Sequence, residues 1–204
     1  MKSNPLFISF EGIDGSGKST QCQLLSDHLN TLGVSHLSIR EPGATTLGEK
    51  VRSLVHDPAM TMDMHTEAYL YASARCELVN SVIKPALANH QTVICDRFFH
   101  SSLAYQGYAR GMGIETVLAI NAVAVGETKP HVTFWIDTPL ATAQQRVTTG
   151  ELDRIEAEGS AFQEQVMLGY QALAKQYPTI IKINGDQDAQ AIHQDILAHL
   201  SAYI

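Results

Sequence analysis

The chain has 204 residues, of which 45% are hydrophobic and 17% are charged, and its formal net charge at pH 7 is −7. This length and composition favour one well-buried globular domain, residues 1–204, and leave too little chain for two full domains. The negative net charge argues against the broad basic face that nucleic-acid binding needs. We therefore expect small ligands and no nucleic acid as partners.

Three features predict a cytoplasmic protein that is not bound to a membrane. The N-terminal stretch MKSNPLFISFEG enters a strand-like run without the charged, apolar and small-residue sections of an export signal. The longest mostly apolar window, 117–125, is too short to cross a membrane. Cys22, Cys76 and Cys95 are odd in number and lack CxxC spacing, so we expect reduced thiols rather than disulfides or a zinc site.

Short apolar runs alternate with longer helical patterns from end to end. Strands are predicted at Leu6–Phe10, His36–Ile39, Thr92–Cys95, Val132–Ile136 and Thr179–Ile183. Helices are predicted at Lys18–Leu32, Leu47–Val55, Glu67–Asn89, Ser101–Tyr108, Ile114–Val125, Leu140–Arg146, Ala161–Gln176 and Ala189–Tyr203. Most of these strands are almost continuously apolar, which is typical of parallel strands covered on both faces. The alternation predicts an α/β fold with a five-stranded parallel sheet flanked by helices, and ligands beyond the carboxyl ends of its strands.

Residues 12–19, GIDGSGKS, match the phosphate-loop pattern GxxxxGK[ST] between the first predicted strand and the first predicted helix. Glycines let backbone N–H groups turn toward a phosphate chain, and the helix N-terminus adds the positive end of its dipole. Lys18 would bridge the β- and γ-phosphates of a nucleoside triphosphate, and Ser19 would ligate Mg²⁺. The alternative is a glycine turn that only caps a helix. The predicted nucleotide contacts are Gly12, Ile13, Asp14, Gly15, Ser16, Gly17, Lys18, Ser19 and Thr20.

The loop alone does not distinguish GTPases, motor-like ATPases and small kinases. A common switch GTPase would carry [NT]KxD for guanine, and the nearest stretch, residues 128–131, lacks the Asp. DxxG occurs only inside the phosphate loop itself, so no separate switch segment is predicted. The sequence therefore gives little support to a switch GTPase.

Asp96 and Arg97 directly follow the predicted strand Thr92–Cys95, at the same edge of the sheet as the phosphate loop. The Asp96 carboxylate could face hydrated Mg²⁺, and the Arg97 guanidinium could donate two hydrogen bonds to phosphate oxygens. The alternative is a surface ion pair that caps the next helix. Tyr71 and Arg75, one helical turn apart, could stack on and hydrogen-bond to a flat heterocycle, although such pairs also occur as simple packing.

At this point the chain resembles the thymidylate kinase family over most of its length. The resemblance rests on FISFEGIDGSGKST, REPGATTLGEKVRSL, YASAR, VIKPALANHQTVICDRFFHSSLAYQG and GELDRIE. The pattern DR[FY]xxSSxAYQG joined to this phosphate loop is highly specific. The resemblance implies transfer of the γ-phosphoryl group of ATP to dTMP for dTTP synthesis, with Mg²⁺, a lid at about residues 146–158, and a homodimer packed through helices.

The resemblance also implies roles for individual residues. Asp14 would receive the 3′-hydroxyl of the acceptor deoxyribose, and Arg97 would clamp the acceptor phosphate against the donor. Tyr71, where the family usually has Phe, would stack on thymine, and Arg75 would reach an exocyclic oxygen of the base. Tyr105 would crowd the 2′ position. The implied dTMP site comprises Asp14, Glu41, Arg52, Tyr71, Arg75, Arg97, Ser101, Ser102, Tyr105 and Gln106.

The lid departs from the family pattern. Bacterial relatives without an arginine in the phosphate loop commonly carry several in the lid, but this lid has only Arg146 and Arg154, with Thr149 at a position that is often Arg. The resemblance makes Arg154 the candidate for the arginine that stabilises the transition state, beside Lys18, Arg97 and Asp14 as catalytic residues. Arg146 is the candidate for stacking on adenine. The alternative for either arginine is a solvated helix end without a role.

The proposed chemistry requires no general base. The acceptor is already a phosphate, and its second pKa of about 6 leaves it mostly dianionic at pH 7. The reaction needs relief of the repulsion between two polyanions and in-line alignment of an acceptor oxygen with the γ-phosphorus. For the metal, Ser19 and Asp96 would hold Mg²⁺, directly or through water.

Two other functions remain open at this point. The first is a kinase for another small nucleotide, because thymine's methyl group contributes only ~1–3 kcal/mol of discrimination against dUMP. The second is a nucleotide-binding regulator without turnover, which the sparse lid leaves open.

Overall fold

Five parallel strands form one sheet in the order β2-β3-β1-β4-β5. The structure, a computed structural model, describes residues 4–147 and 153–201. The strands are β1 (Phe7–Glu11), β2 (His36–Arg40), β3 (Thr92–Asp96), β4 (Val132–Asp137) and β5 (Ile180–Asn184). The predicted α/β fold class is therefore confirmed.

Each strand ends one residue later than its apolar run predicts. The additional residues are all polar, namely Glu11, Arg40, Asp96, Asp137 and Asn184. A ladder of backbone hydrogen bonds does not depend on side-chain polarity, so it continues past the last apolar residue. The five polar residues therefore lie at the carboxyl edge of the sheet, where ligands of such folds bind.

Helices cover both faces of the sheet. In the described residues the α-helices are α1 (Lys18–Thr31), α2 (Thr46–His56), α3 (Met64–Leu78), α4 (Lys84–Ala88), α5 (Phe99–Ser102), α6 (Ile114–Val125), α7 (Leu140–Arg146), α8 (Ser160–Gln176) and α9 (Ala189–Leu200). Helices α1 and α9 pack against one face, over a core that includes Ile8, Phe10 and Phe134. Helices α3, α6 and α8 pack against the other face, where Phe7 and Trp135 point. No helix in these ranges is long and apolar enough to cross a membrane.

Two of the predicted helices contain π-helical turns. The pattern over 67–89 predicts one helix, which in fact begins at Met64, where the Asp63 carboxylate caps it by accepting the His65 N–H at 2.8 Å. It then passes through a π-helical turn, Val79–Ile83, into α4. The pattern over 101–108 corresponds to α5 followed by the π-helical segment Leu103–Ala109. Hydrophobic periodicity does not detect the extra residue of a π turn, because the same face stays buried.

Parts of two predictions fall outside the described residues. In the predicted lid, 146–158, these are residues 148–152, which include Thr149, and the described remainder contains a 3₁₀ turn at Glu156–Glu158. The predicted last helix reaches Tyr203, whereas α9 ends at Leu200 and residues 202–204 are not described. The domain limits 1–204 stay a prediction.

Candidate active site

The carboxyl edge of the sheet brings the phosphate loop and the segment after β3 side by side. Beyond the last paired residues of β1 and β3, the Arg97 N–H donates to the Phe10 carbonyl at 2.9 Å. On the other side of β3, the Glu41 N–H donates to the Asp96 carbonyl at 2.9 Å. These bonds fix three loops at one edge and place their side chains in a common cleft.

The phosphate loop forms a tight cradle that requires glycine. Gly15 has φ +76, and a Cβ there would lie 2.1 Å from the Ala143 carbonyl oxygen in α7. Within the loop, Lys18 Nζ donates to the Ile13 carbonyl at 2.7 Å. Burial and the nearby Arg97 guanidinium lower the pKa of Lys18, against the opposing effect of Asp14. An anion in the cradle would therefore relieve the repulsion between the two cations.

Ser19 and Asp96 meet at the entrance to the cradle. The Ser19 hydroxyl donates to Asp96 Oδ2 at 2.5 Å. A hydroxyl and a carboxylate are hard oxygen ligands that suit Mg²⁺, which commonly takes one or two protein ligands and completes its shell with phosphate and water. Over residues 4–147 and 153–201, no cluster of three or more His, Cys, Asp or Glu could hold a metal by itself. The residues present thus fit a Mg²⁺ that depends on bound phosphates for its remaining ligands.

Arg97 lies directly against the cradle. Its Nη1 donates to the Gly12 carbonyl at 2.7 Å, and its Nη2 contacts Asp14 Oδ1. The guanidinium also lies over the Tyr105 ring, 5.2 Å from its centroid. Its backbone has φ +69, a left-handed conformation that is uncommon for a residue with a side chain. These contacts compensate for the unfavourable backbone conformation and hold the guanidinium in one place, between two cavities.

Asp14 is only partly buried, and its carboxyl remains ionised. Burial alone would raise the pKa of this carboxyl, but the charges of Arg97 and Lys18 outweigh it and hold the pKa well below the usual range. The carboxylate contacts Arg97 and lies 3.8 Å from Lys18 Nζ. It is therefore a permanent hydrogen-bond acceptor beside two cations.

A cavity of about 150 Å³ lies on one side of Arg97. All ten residues of the dTMP site implied by the resemblance line it, together with residues of α2 and of the segment after the undescribed lid residues. Burial raises the pKa of both Tyr71 and Tyr105 above the usual range, so both phenols stay neutral. The cavity has aromatic rings and cations in its walls, which suits a flat base that carries a phosphate.

Arg75 is the most extensively bonded side chain of this cavity. It is 2% exposed. Its Nε donates to Glu41 Oε2 at 2.7 Å, and its Nη1 donates to Ser102 Oγ at 3.0 Å and to Asn121 Oδ1 at 2.5 Å. The guanidinium therefore has a fixed orientation before any ligand binds. A base oxygen that reached it would share donors already used by the protein.

A larger cleft of about 470 Å³ lies on the other side of Arg97, over the cradle. Asp14, Glu41, Arg52 and Arg97 line both this cleft and the smaller cavity. Among the predicted nucleotide contacts, Gly15, Gly17, Lys18, Ser19, Thr20 and Arg146 also line the cleft. Gly12, Ile13 and Ser16 do not, and Ile13 instead packs into the hydrophobic core. These three residues belong to the part of the loop that does not line the cleft.

The two predicted lid arginines lie on opposite sides of the site. Arg146, at the end of α7, donates to the Gly185 carbonyl at 3.0 Å and to the Gln187 carbonyl at 3.2 Å. Arg154 contacts the Glu67 carboxylate in α3 and donates from Nε to the Val55 carbonyl at 2.8 Å. In this conformation Arg154 is thus held on the side of the smaller cavity, and its predicted contact with the transferred phosphate stays a prediction.

Glu11 and Glu67 are buried carboxylates that support these residues, and the sequence motifs do not point to them. Glu11, the last residue of β1, accepts the Phe98 N–H at 2.8 Å and the hydroxyls of Ser101 and Tyr170 at 2.5 and 2.9 Å. A glutamate that ends an apolar strand just before a phosphate loop is a pattern that could have been noticed. The partners of Glu67 come from two distant segments, around residues 106–110 and at Arg154, and no local pattern links them to Glu67.

Known proteins of one family match this chain over nearly its whole length. The family model described as thymidylate kinase matches residues 10–196. A thymidylate kinase of Fervidobacterium nodosum is 44% identical over 98% of this chain and all of its own length. One from Caldanaerobacter subterraneus subsp. tengcongensis is 44% identical over 97% of this chain and 96% of its own. The crystal structure of thymidylate kinase from Ehrlichia chaffeensis superposes with a TM-score of 0.80 at 33% identity, over 97% of this chain and 99% of that one. The chain belongs to the thymidylate kinase family.

Proposed function

We propose that this chain carries out the reaction of its family, in which the γ-phosphoryl group of ATP passes to dTMP and gives dTDP and ADP. Membership of the family makes it an ATP-dependent nucleoside monophosphate kinase. The observation that supports the reaction most directly is the shared wall of Asp14, Glu41, Arg52 and Arg97 between the two cavities. A donor on the cradle and an acceptor in the smaller cavity would face each other across Arg97.

In the acceptor cavity, we assign the base to the region between Tyr71 and Arg75 and the phosphate to Arg52 and Arg97. The carboxylate of Asp14, which is always an acceptor, suits the 3′-hydroxyl of the sugar. Tyr105 lies beneath the Arg97 guanidinium at 5.2 Å, so its ring limits the space beside the sugar. This arrangement supports a deoxyribonucleotide as acceptor.

In the donor cleft, we assign the phosphates of ATP to the cradle and to Lys18. Bound Mg²⁺ would neutralise charge on the β- and γ-phosphates, and Ser19 and Asp96 would hold it. Lys18 and Arg97 supply positive charge on the two sides of the transferred group, so repulsion between the two phosphates is reduced as they approach. No residue has to remove a proton, because the acceptor phosphate is already anionic.

For Arg154, we keep the role of stabilising the transition state as a proposal with a structural condition. The side chain would have to leave Glu67 and cross to the donor cleft. Glu67 would remain neutralised by Arg110, which contacts it through Nε at 2.7 Å and Nη2 at 3.0 Å. The release of Arg154 would thus not leave a buried carboxylate unpaired.

We further propose a homodimer that packs through α3 and α6. These helices pack side by side, and their outer surface carries exposed apolar side chains, with Val123 88% exposed and Tyr69 59% exposed. Ala119 and Ala122 of α6 are also exposed. Sedimentation velocity of the full chain tests this proposal, because Val123→Lys should convert a dimer of about twice the 22.3 kDa chain mass into a monomer. A wild-type monomer would contradict it.

The cytoplasmic location stays a prediction from the cysteine content.

The reaction itself is tested with γ-labelled ATP and the purified chain. We expect label to move to dTMP in a single turnover, and steady-state ADP release to be faster with dTMP than with dUMP, dCMP, dGMP or dAMP. If the label stays on ATP at saturating dTMP, the chain binds nucleotide without transferring phosphate. Equal rates with dCMP would mean that the acceptor is not selected by its base.

A further inference from the structure

Glu67 is a buried carboxylate whose only part in the function proposed above is to hold Arg154 in the present conformation. It lies in the first turn of α3 and is 1% exposed. Besides Arg110 and Arg154, it contacts Gln106, whose Nε2 donates to Glu67 Oε1 at 2.7 Å. Gln106 belongs to the π-helical segment Leu103–Ala109 and lines the acceptor cavity. Glu67 thus reaches the cavity through one side chain that the substrate can touch.

The surroundings of Glu67 keep it ionised. Burial alone would raise the pKa of this carboxyl, but hydrogen bonds and charge from Arg110, with bonds from Gln106 and Arg154, bring the pKa below its usual value. Arg110 is itself held by Glu158 at 2.8 Å and by the Phe162 ring at 5.0 Å. An ionised carboxylate has no proton to donate, so every neighbour must present a donor to it.

This requirement fixes the Gln106 amide. The two ends of a glutamine amide have similar shapes, and the hydrogen-bond partners decide which end lies where. Opposite an ionised Glu67, only the NH₂ end is favourable. The amide oxygen, Oε1, must then point elsewhere, and in the described ranges of the chain no group donates a hydrogen bond to it. The cavity therefore receives an unused acceptor at a fixed position.

We propose that Glu67 is a positioning residue that selects the acceptor's base by holding the Gln106 carbonyl toward the cavity. Because it takes this cavity as the nucleotide acceptor site, the inference rests on the proposed function. Arg75 can only donate, whereas Gln106 Oε1 can only accept. Thymine and uracil present the complementary pair, a carbonyl oxygen next to a ring N–H. Cytosine presents an amino group next to a ring nitrogen that accepts, which is the reverse pattern.

The test measures two ratios of kcat/KM in the full-length enzyme: dTMP over dCMP, and dTMP over dUMP. In Glu67→Gln the new glutamine side chain can donate as well as accept a hydrogen bond, so the Gln106 amide can rotate by 180° and exchange its oxygen and NH₂ ends. We expect the dTMP/dCMP ratio to fall about tenfold or more, the scale of one misplaced buried hydrogen bond. The dTMP/dUMP ratio should stay within about twofold, because the two bases share the same hydrogen-bonding edge.

Glu158→Gln is the matched control. Glu158 also pairs with Arg110, at 2.8 Å, but it does not contact Gln106. The substitution therefore removes a carboxylate from Arg110 without touching the glutamine. Both ratios should be unchanged in this variant. Glu67→Asp, which keeps the charge, should retain more of the dTMP/dCMP preference than Glu67→Gln.

An unchanged dTMP/dCMP ratio in folded Glu67→Gln overturns the inference, as does an equal fall of both ratios. If that variant does not fold, Gln106→Leu serves instead, since it removes the oxygen itself. An unchanged dTMP/dCMP ratio there would also overturn the inference. Wild-type protein that fails to phosphorylate dTMP would contradict the proposed function. An active enzyme whose dTMP/dCMP ratio does not change when Glu67 is replaced would contradict this inference alone.

Discussion

At the scale of single residues, the position of Arg97 also depends on Glu11 and Tyr170, which line neither cavity. Its left-handed backbone is followed by Phe98, whose N–H is bound by Glu11. Burial raises the pKa of Glu11, with opposing effects from Ser101, Phe98 and Arg97. Tyr170 of α8 donates to the same carboxylate at 2.9 Å. The arginine that lies between the two cavities is thus supported by a buried polar cluster beneath it.

Replacing Arg97 should affect the reaction rate more than substrate binding. We expect Arg97→Ala to lower kcat about 100-fold or more, the scale of losing one transition-state donor, because its contacts strengthen as charge shifts between the phosphates. Steady-state kinetics with ATP and dTMP measure this effect. Arg97→Lys keeps the charge but loses the planar guanidinium, which can donate two parallel hydrogen bonds. Its kcat should therefore lie between those of Arg97→Ala and the wild type. A rise in KM with unchanged kcat would show that Arg97 serves binding alone.

Tyr170→Phe should destabilise the protein through Glu11. The substitution removes a buried hydroxyl that donates to the Glu11 carboxyl group, and we expect the free energy of unfolding to fall by about 1–2 kcal/mol. Trp135, the single tryptophan, lies 6.1 Å from the Tyr170 ring centroid, so its fluorescence reports urea unfolding at this site. Tyr108→Phe, at an exposed tyrosine outside the proposed dimer surface, is the control. Equal stability of Tyr170→Phe and wild type would show that the hydroxyl contributes nothing.

At the scale of elements, the π-helical segment Leu103–Ala109 forms a wall of the proposed acceptor cavity. It carries Tyr105 and Gln106, and α8 packs along its outer side. The two elements approach closely at Gly169, where a Cβ would lie 3.0 Å from Tyr108 Cβ and 3.1 Å from the Ala104 carbonyl oxygen. A residue without a side chain therefore sets the distance between this wall and the helix behind it.

Gly169→Val should disturb both stability and acceptor binding. We expect a loss of about 1–3 kcal/mol in unfolding free energy from overpacking, and a higher KM for dTMP because the cavity wall is displaced. Thermal unfolding and steady-state kinetics measure the two effects. Gln171→Val places the same side chain on an exposed position of α8 and should leave KM for dTMP unchanged. A normal KM in Gly169→Val would mean that the wall tolerates the displacement.

At the scale of the whole molecule, the face of the sheet that packs against α8 buries a histidine. His100 is 2% exposed, packs on the Phe99 ring with 4.0 Å between centroids, and contacts Thr133 Oγ1 through Nδ1 at 3.3 Å. Burial, with a smaller effect of the Arg75 charge, lowers its pKa from 6.5 to about 3. The folded protein therefore keeps this histidine neutral at any pH where the enzyme would work.

This histidine should make the fold sensitive to acid. Above pH 6.5 the ring is neutral in both the folded and unfolded states, so its contribution to stability is fully present. As the pH falls from 6.5 toward 3, only the unfolded state takes up the proton, and stability is lost. By pH 5 the loss should reach about 2 kcal/mol.

The check compares unfolding free energies at pH 7 and pH 5. His100→Gln should lose less stability than the wild type over this interval, by about the same 2 kcal/mol. His65→Gln, which replaces an exposed histidine, should behave as the wild type. An identical pH response of His100→Gln and wild type would show that another group causes the acid sensitivity.

The succession of strands and helices along the chain and the phosphate cradle follow from the sequence alone. Continuous apolar runs dictate strands buried on both faces, and GIDGSGKS dictates a loop whose backbone can surround a phosphate. These features depend on neighbours within a few residues along the chain. Local chemistry is therefore sufficient to predict them.

The tertiary structure decided how these pieces support one another. It brings Glu67 of α3 to Gln106, Arg110 and Arg154, and it brings Tyr170 of α8 to Glu11 of β1. Each contact joins side chains that are 39 or more residues apart in the chain. No periodicity or motif encodes such a pairing, because burying a carboxylate is favourable only when folding delivers all its donors at once.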